Sequence, residues 1–152
     1  MNLLNAIKIS STGLSAERVR LNVASMNLAN AHVTRTLDGG PYKARSVIFS
    51  SVPFTNPESE LGELENDGFA KQLARALQTV KVSKIVEDSG PFKEIHDPSH
   101  PDADEQGMVL LPNVNVMEQM VDIMTAARAF EANITAIDTA KSMAMKAIEI
   151  AR

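Results

Sequence analysis

The chain has 152 residues, 15 basic and 19 acidic side chains, a net charge of −4, and neither cysteine nor tryptophan. Without cysteine there are no disulfides, thiolate zinc sites or thiol nucleophiles. The acidic balance, with no basic run, argues against nucleic acid as a partner. Five Phe and one Tyr leave the apolar content to Leu, Ile, Val, Ala and eight Met, the last a flexible residue suited to adaptable contact surfaces.

Charge is spread unevenly. Residues 1–31 hold three basic side chains against one acidic, 32–112 eight against thirteen, and 113–152 four against five. The middle is thus the acidic and more solvated part. No apolar run approaches the eighteen residues of a transmembrane helix. Met1 to Lys8 lack the charged leader and long apolar core of a secretory signal, so any export is expected to use another route.

The amino-terminal stretch has a heptad of its own. Ile7, Leu14, Leu21 and Leu28 recur at steps of seven, while Ser11, Arg18 and Ser25 keep the seam narrow. This predicts a helix from about residue 3 to about Asn30. Gly13, after Ser10-Ser11-Thr12, weakens it by about 1 kcal/mol relative to Ala and marks a soft point.

Residues 31–112 differ in kind, with prolines recurring from Pro41 to Pro112. Gly39-Gly40-Pro41 reads as a turn. Tyr42 to Phe49 then reads as a strand with Val47 and Phe49 on one face. Glu58, Glu60, Glu63, Glu65 and Asp67 form an acidic run expected in a solvated loop. Phe69, Leu73 and Leu77 have the spacing of a short helix. Thr79 to Val86, Phe92 to Ile95 and Met108 to Leu111 read as strands, separated by turn residues at Asp88-Ser89-Gly90-Pro91.

From Asn113 to Arg152 no Gly or Pro interrupts the chain. Val116, Met120, Ile123, Ala127, Phe130, Ile134, Ile137, Ala144, Ile148 and Ala151 fall on one seam by alternating steps of three and four. The only polar member is Lys141. Fully helical, the stretch would run roughly 58 Å. Asn115 is placed to cap it, with Glu118 three residues on.

The fold class is therefore mainly α with a small β-rich insertion. Residues 1–31 and 113–152 are expected to form one discontinuous coiled-coil assembly domain, and 32–112 a small β-rich outer domain. The two helices pair with each other, and their seams are too extensive for a hairpin to bury, so the remainder faces other chains. The middle supplies no helices long enough for a four-helix bundle.

One cluster invites chemistry. His96-Asp97-Pro98-Ser99-His100-Pro101-Asp102-Ala103-Asp104 offers two His and three Asp as metal ligands, and hence a small metal-dependent hydrolase. Pro98 and Pro101 forbid the helix that would align the two His, and the same residues are turn formers. No nucleophile elbow, phosphate loop or dinucleotide fingerprint occurs, so neither an enzyme nor a cofactor is expected. Asn22, Asn27, Asn30, Arg128 and Asn133 read either as a solvated face or as inter-subunit hydrogen bonds. Lys141 is the candidate for setting register.

Ser11-Thr12-Gly13-Leu14-Ser15-Ala16 and Arg20 to Ala31 resemble the amino-terminal signature of bacterial flagellar rod and hook proteins. Gly39-Gly40-Pro41-Tyr42, Asp97 to Asp104, Gly107, Pro112-Asn113-Val114-Asn115 and Arg128 to Asn133 extend the resemblance to nearly the whole chain and narrow it to the proximal rod. The motif residues singled out are Asn22, Asn27, Asn30, Pro41, Tyr42, His100, Pro101, Asp102, Asp104, Pro112, Asn113, Arg128 and Asn133. His32-Val33 and Met108 depart from the usual pattern, and the loop from Val52 to Arg75 is divergent.

The resemblance implies a structural subunit exported unfolded by the flagellar type III apparatus without a cleaved signal. It would polymerise in the periplasm into a rod that transmits torque from motor to hook. Its terminal helices would line the export channel. Its partners would be further copies, other rod subunits and the rod–ring junction protein, with no small-molecule substrate. A generic coiled-coil adaptor is the other reading of the helices alone.

Overall fold

The computed structural model describes residues 3–37, 39–54 and 77–150. Helix α1 (Leu3–Ala29) is followed by strands β1 (Arg45–Pro53), β2 (Gln78–Glu87), β3 (Lys93–His96) and β4 (Met108–Leu111), and by helix α2 (Val116–Ile150). Two long terminal helices precede and follow in sequence two small two-stranded sheets, β1 with β2 and β3 with β4. This is the expected fold class.

α1 passes through Gly13 without a break and stops where Ala31 N–H bonds Leu28 C=O and the Asn30 side-chain amide takes Met26 C=O at 2.7 Å. Those bonds satisfy the orphan carbonyls of the last turn. Asn115 stands in the capping position of α2, its carbonyl accepting the Gln119 N–H at 3.0 Å, with Glu118 in the first turn. Thr135 and Thr139, mid-helix, return their hydroxyls to the carbonyls four residues back.

β1 begins at Arg45, three residues later than the expected start at Tyr42, and runs on to Pro53. The reason is that the donors ahead of it are taken elsewhere. Tyr42 N–H bonds Val33 C=O, and Ala44 N–H bonds Asn113 Oδ1. Val47 is half-buried and Phe49, two residues on, is exposed. β3 and β4 pair antiparallel with Lys93 opposite Leu111 and His96 opposite Met108. Gly107 turns that hairpin at φ +75, and a Cβ there would lie 3.0 Å from both the His96 and Pro98 side chains. The acidic run Glu58–Asp67 and the short helix expected at Phe69 and Leu73 lie outside the described residues. Leu77 accepts the Phe54 N–H instead.

The chain divides into two compact units. One comprises Arg18–Ile48 and Lys84–Arg128, the other Met1–Glu17, Phe49–Ser83 and Ala129–Arg152. The first holds a core of Ala31, Tyr42 and Val114, flanked by Val33, Ala44 and Val116. Pro112 and Val109 are buried in the same unit. In the second, Gly13 comes against Asn133, and the Lys8 ammonium lies 6.0 Å from the Phe54 ring centre.

Candidate functional site: a polar clamp and an uncovered helix face

Asn27 lies fully inside its unit, with only 1% of it exposed. A buried amide has two donor and two acceptor positions to fill. All four are filled within the chain. Its Nδ2 donates to Arg45 C=O at 2.7 Å and to Gln119 Oε1 at 2.9 Å. Its Oδ1 accepts the Tyr42 hydroxyl and the Arg45 N–H, each at 2.9 Å. One side chain thereby joins α1, the segment entering β1 and the first turn of α2. Asn27 is therefore neither on a solvated face nor an inter-subunit contact: with both its donors and acceptors engaged inside the chain, nothing remains for a neighbour.

Tyr42 is buried beside this amide, and desolvation holds its phenol above the ordinary value of 10.0; Arg45 opposes that shift and Glu87 adds to it. Asn113 extends the clamp, accepting Ala44 N–H at 2.9 Å, while Lys93 Nζ donates to Val114 C=O at 3.0 Å. Arg20 and Asp122 pair at 2.6 Å between the two helices. Arg20 opposite Asp122 and Asn27 opposite Gln119 make the helices antiparallel in this unit.

The other motif residues occupy different settings. Asn22 and Arg128 are exposed, and Asn30 closes the end of α1. Asn133 gives its amide to Ala129 C=O, and a Cβ on Gly13 would stand 3.2 Å from its Oδ1. Gly13 thus serves close helix approach and not softness. Pro41, Pro101, Asp102 and Asp104 come together around an open cleft of about 510 Å³ that Met108 and Leu110 also line.

The His96–Asp104 cluster is a turn. Asp97 Oδ1 accepts both the N–H and the hydroxyl of Ser99, which hold its carboxyl below the usual range. His100 Nδ1 accepts Asp102 N–H, and Asp104 Oδ1 accepts Gln106 and Met108 N–H. Thr34 donates to Asp102 at 2.7 Å. Among the described residues no three His, Asp or Glu are placed to hold a metal.

The expected seam residues are divided. Ile7, Leu14, Leu21 and Leu28 are half-buried, as are Val116, Ile123, Phe130 and Ile137. Met120, Ile134, Lys141 and Ile148 are exposed. The covered face of α2 instead centres on Ala126 and Ala140, and that of α1 on Ala16, Val23, Ala24 and Asn27. Small and polar side chains let the backbones approach where leucines would hold them apart. Gln119, Arg20 and Asp122 were not anticipated. A signal for them exists: Gly13, Arg20 and Asn27 also recur at sevens, one residue before the leucines.

Residues 7–35 match the family described as flagella basal body rod protein, and residues 105–150 match flagellar basal body rod FlgEFG protein C-terminal. Full-length relatives named flagellar basal-body rod protein FlgC agree with the whole chain. That of Borreliella burgdorferi is 42% identical over 99% of this chain and 98% of its own length. That of Bacillus subtilis is 36% identical over 100% of both, and that of Salmonella typhimurium 37% over 99% and 98%. The chain belongs to the FlgC family of flagellar basal-body rod proteins. It is a structural rod protein of the basal body and not an enzyme, in a family that assembles with itself and with other rod components. In this FlgC chain, both family-matched segments contain clamp residues: 7–35 includes Asn27, and 105–150 includes Asn113 and Gln119.

Proposed function

We propose that this chain polymerises through its terminal helices into the proximal rod and carries torque from motor to hook. Residues 1–31 and 113–152 act as one assembly domain, and 32–112 forms the outer domain. The seam is Ile7, Leu14, Leu21, Leu28, Val116, Met120, Ile123, Phe130, Ile134, Ile137, Lys141 and Ile148. The observation that carries the reading is the apolar surface left uncovered on α2, from Met117 to Ile150, in a chain of the FlgC family. A lone helix pair gains nothing by presenting such side chains to water, whereas a packed layer of helices gains about 25 cal/mol for each Å² it covers. Torque transfer is then shared among many side-to-side contacts.

The route to the rod is the flagellar type III export apparatus, without a cleaved signal, with assembly in the periplasm and contact to the rod–ring junction protein at one end. Ile137→Asp and Leu21→Asp each place a charge in the seam. Each is expected to abolish swimming in a strain lacking its own copy of the gene, with the protein still synthesised. Normal swimming by either variant would overturn the seam assignment.

A further inference from the structure

Resting on the rod reading, we infer that the face of α2 carrying Met117, Met120, Val121 and Met124 is the seat of the α1 leucine face of a second copy of this chain. These four residues are 71, 48, 56 and 56% exposed. They stand at i, i+3, i+4 and i+7, a single face of two helical turns. Ala126, wholly buried, lies nine residues beyond Met117. That is about two and a half turns, so the methionine face points away from the side that meets α1 within the chain. Among the described residues, the intrachain pairing therefore leaves this face exposed.

Charge selects the occupant. α1 carries Lys8, Arg18 and Arg20 against Glu17 alone, whereas the described α2 carries five acidic side chains against Arg128, Lys141 and Lys146. Two α2 helices laid face to face would bring like charges together; α1 against α2 brings opposite ones. Arg18, exposed, flanks the half-buried Leu21 and Leu28 on α1, and Glu118, exposed, flanks the methionine face on α2. Leucine against methionine also suits a contact that must tolerate small changes of angle. Each α2 then lies between its own α1 and that of the next copy. Such a contact joins two different surfaces, so each copy offers the next an open seat, the kind of interface from which filaments are built.

The absence of native cysteine makes the test clean. Two differently tagged copies, one Val121→Cys and one Leu21→Cys, are expressed together in a strain lacking its own gene. Mild oxidation of the basal bodies is expected to give a disulfide-linked dimer containing both tags, and none when either cysteine is omitted. The pair Met124→Cys with Leu28→Cys repeats the test should either first variant fail to assemble. Swimming cells with no mixed dimer from either pair, or a Val121→Cys dimer carrying one tag only, would overturn the face assignment. Failure of the unsubstituted chain to restore swimming would instead sink the rod reading on which it rests.

Discussion

Asn27 ties three parts of the fold together through one side chain. Replacing it by Asp keeps the shape and the acceptor atom but puts an oxygen against Arg45 C=O and Gln119 Oε1, where Nδ2 now donates. Buried groups left unmatched cost about 1–3 kcal/mol each, so Asn27→Asp is expected to destabilise by about 2–4 kcal/mol in urea unfolding. A loss under 0.5 kcal/mol would show that the four bonds do not hold the helices. Tyr42 offers a second measurement, since it is the only tyrosine and tryptophan is absent. Its phenol, desolvated in the fold, is expected to ionise with a midpoint above 10.0 in ultraviolet titration of the folded chain. The raised value means that its contribution is complete below pH 10 and is lost as pH rises through the folded-state value, because the unfolded chain ionises first. Tyr42→Phe should remove that alkaline loss along with about 1 kcal/mol of stability.

Among elements, the two helices were legible because an apolar period of 3.5 to 3.6 over thirty residues has no other solution. β3, β4 and the turn between them were legible because Pro98, Pro101 and Gly107 punctuate a short stretch. The start of β1 was not, since it depends on Val33, Asn113 and Asn27, partners distant in sequence. Nor was the covered face of α1. Its leucines advertise one seam, yet Ala16, Val23 and Asn27 make the intrachain contact, because close approach rewards small and hydrogen-bonding side chains. Gly13 separates these effects. Gly13→Ala gains about 1 kcal/mol of helix propensity but sets a Cβ 3.2 Å from Asn133 Oδ1. The substitution is expected to be neutral or worse in the native sequence and to recover the gain when Asn133 is also Ala. Equal effects in both backgrounds, by thermal unfolding, would remove Asn133 as the cause.

For the whole molecule, the division of labour follows from which surfaces are polar. Within the chain, helix meets helix through Asn27–Gln119 and Arg20–Asp122; the methionine face of α2 is left to neighbours. The two kinds of contact respond differently to sliding. A shift of α1 along α2 by seven residues replaces Leu28 by Leu21 and Leu21 by Leu14, so a leucine repeat cannot sense it. The same shift brings Arg20 to the place of Asn27 and Gly13 to the place of Arg20, and all four amide bonds and the ion pair are lost at once. Greasy surfaces creep under a sustained twist; a keyed joint holds its position until it breaks. The buried asparagine makes the helix pair a keyed joint.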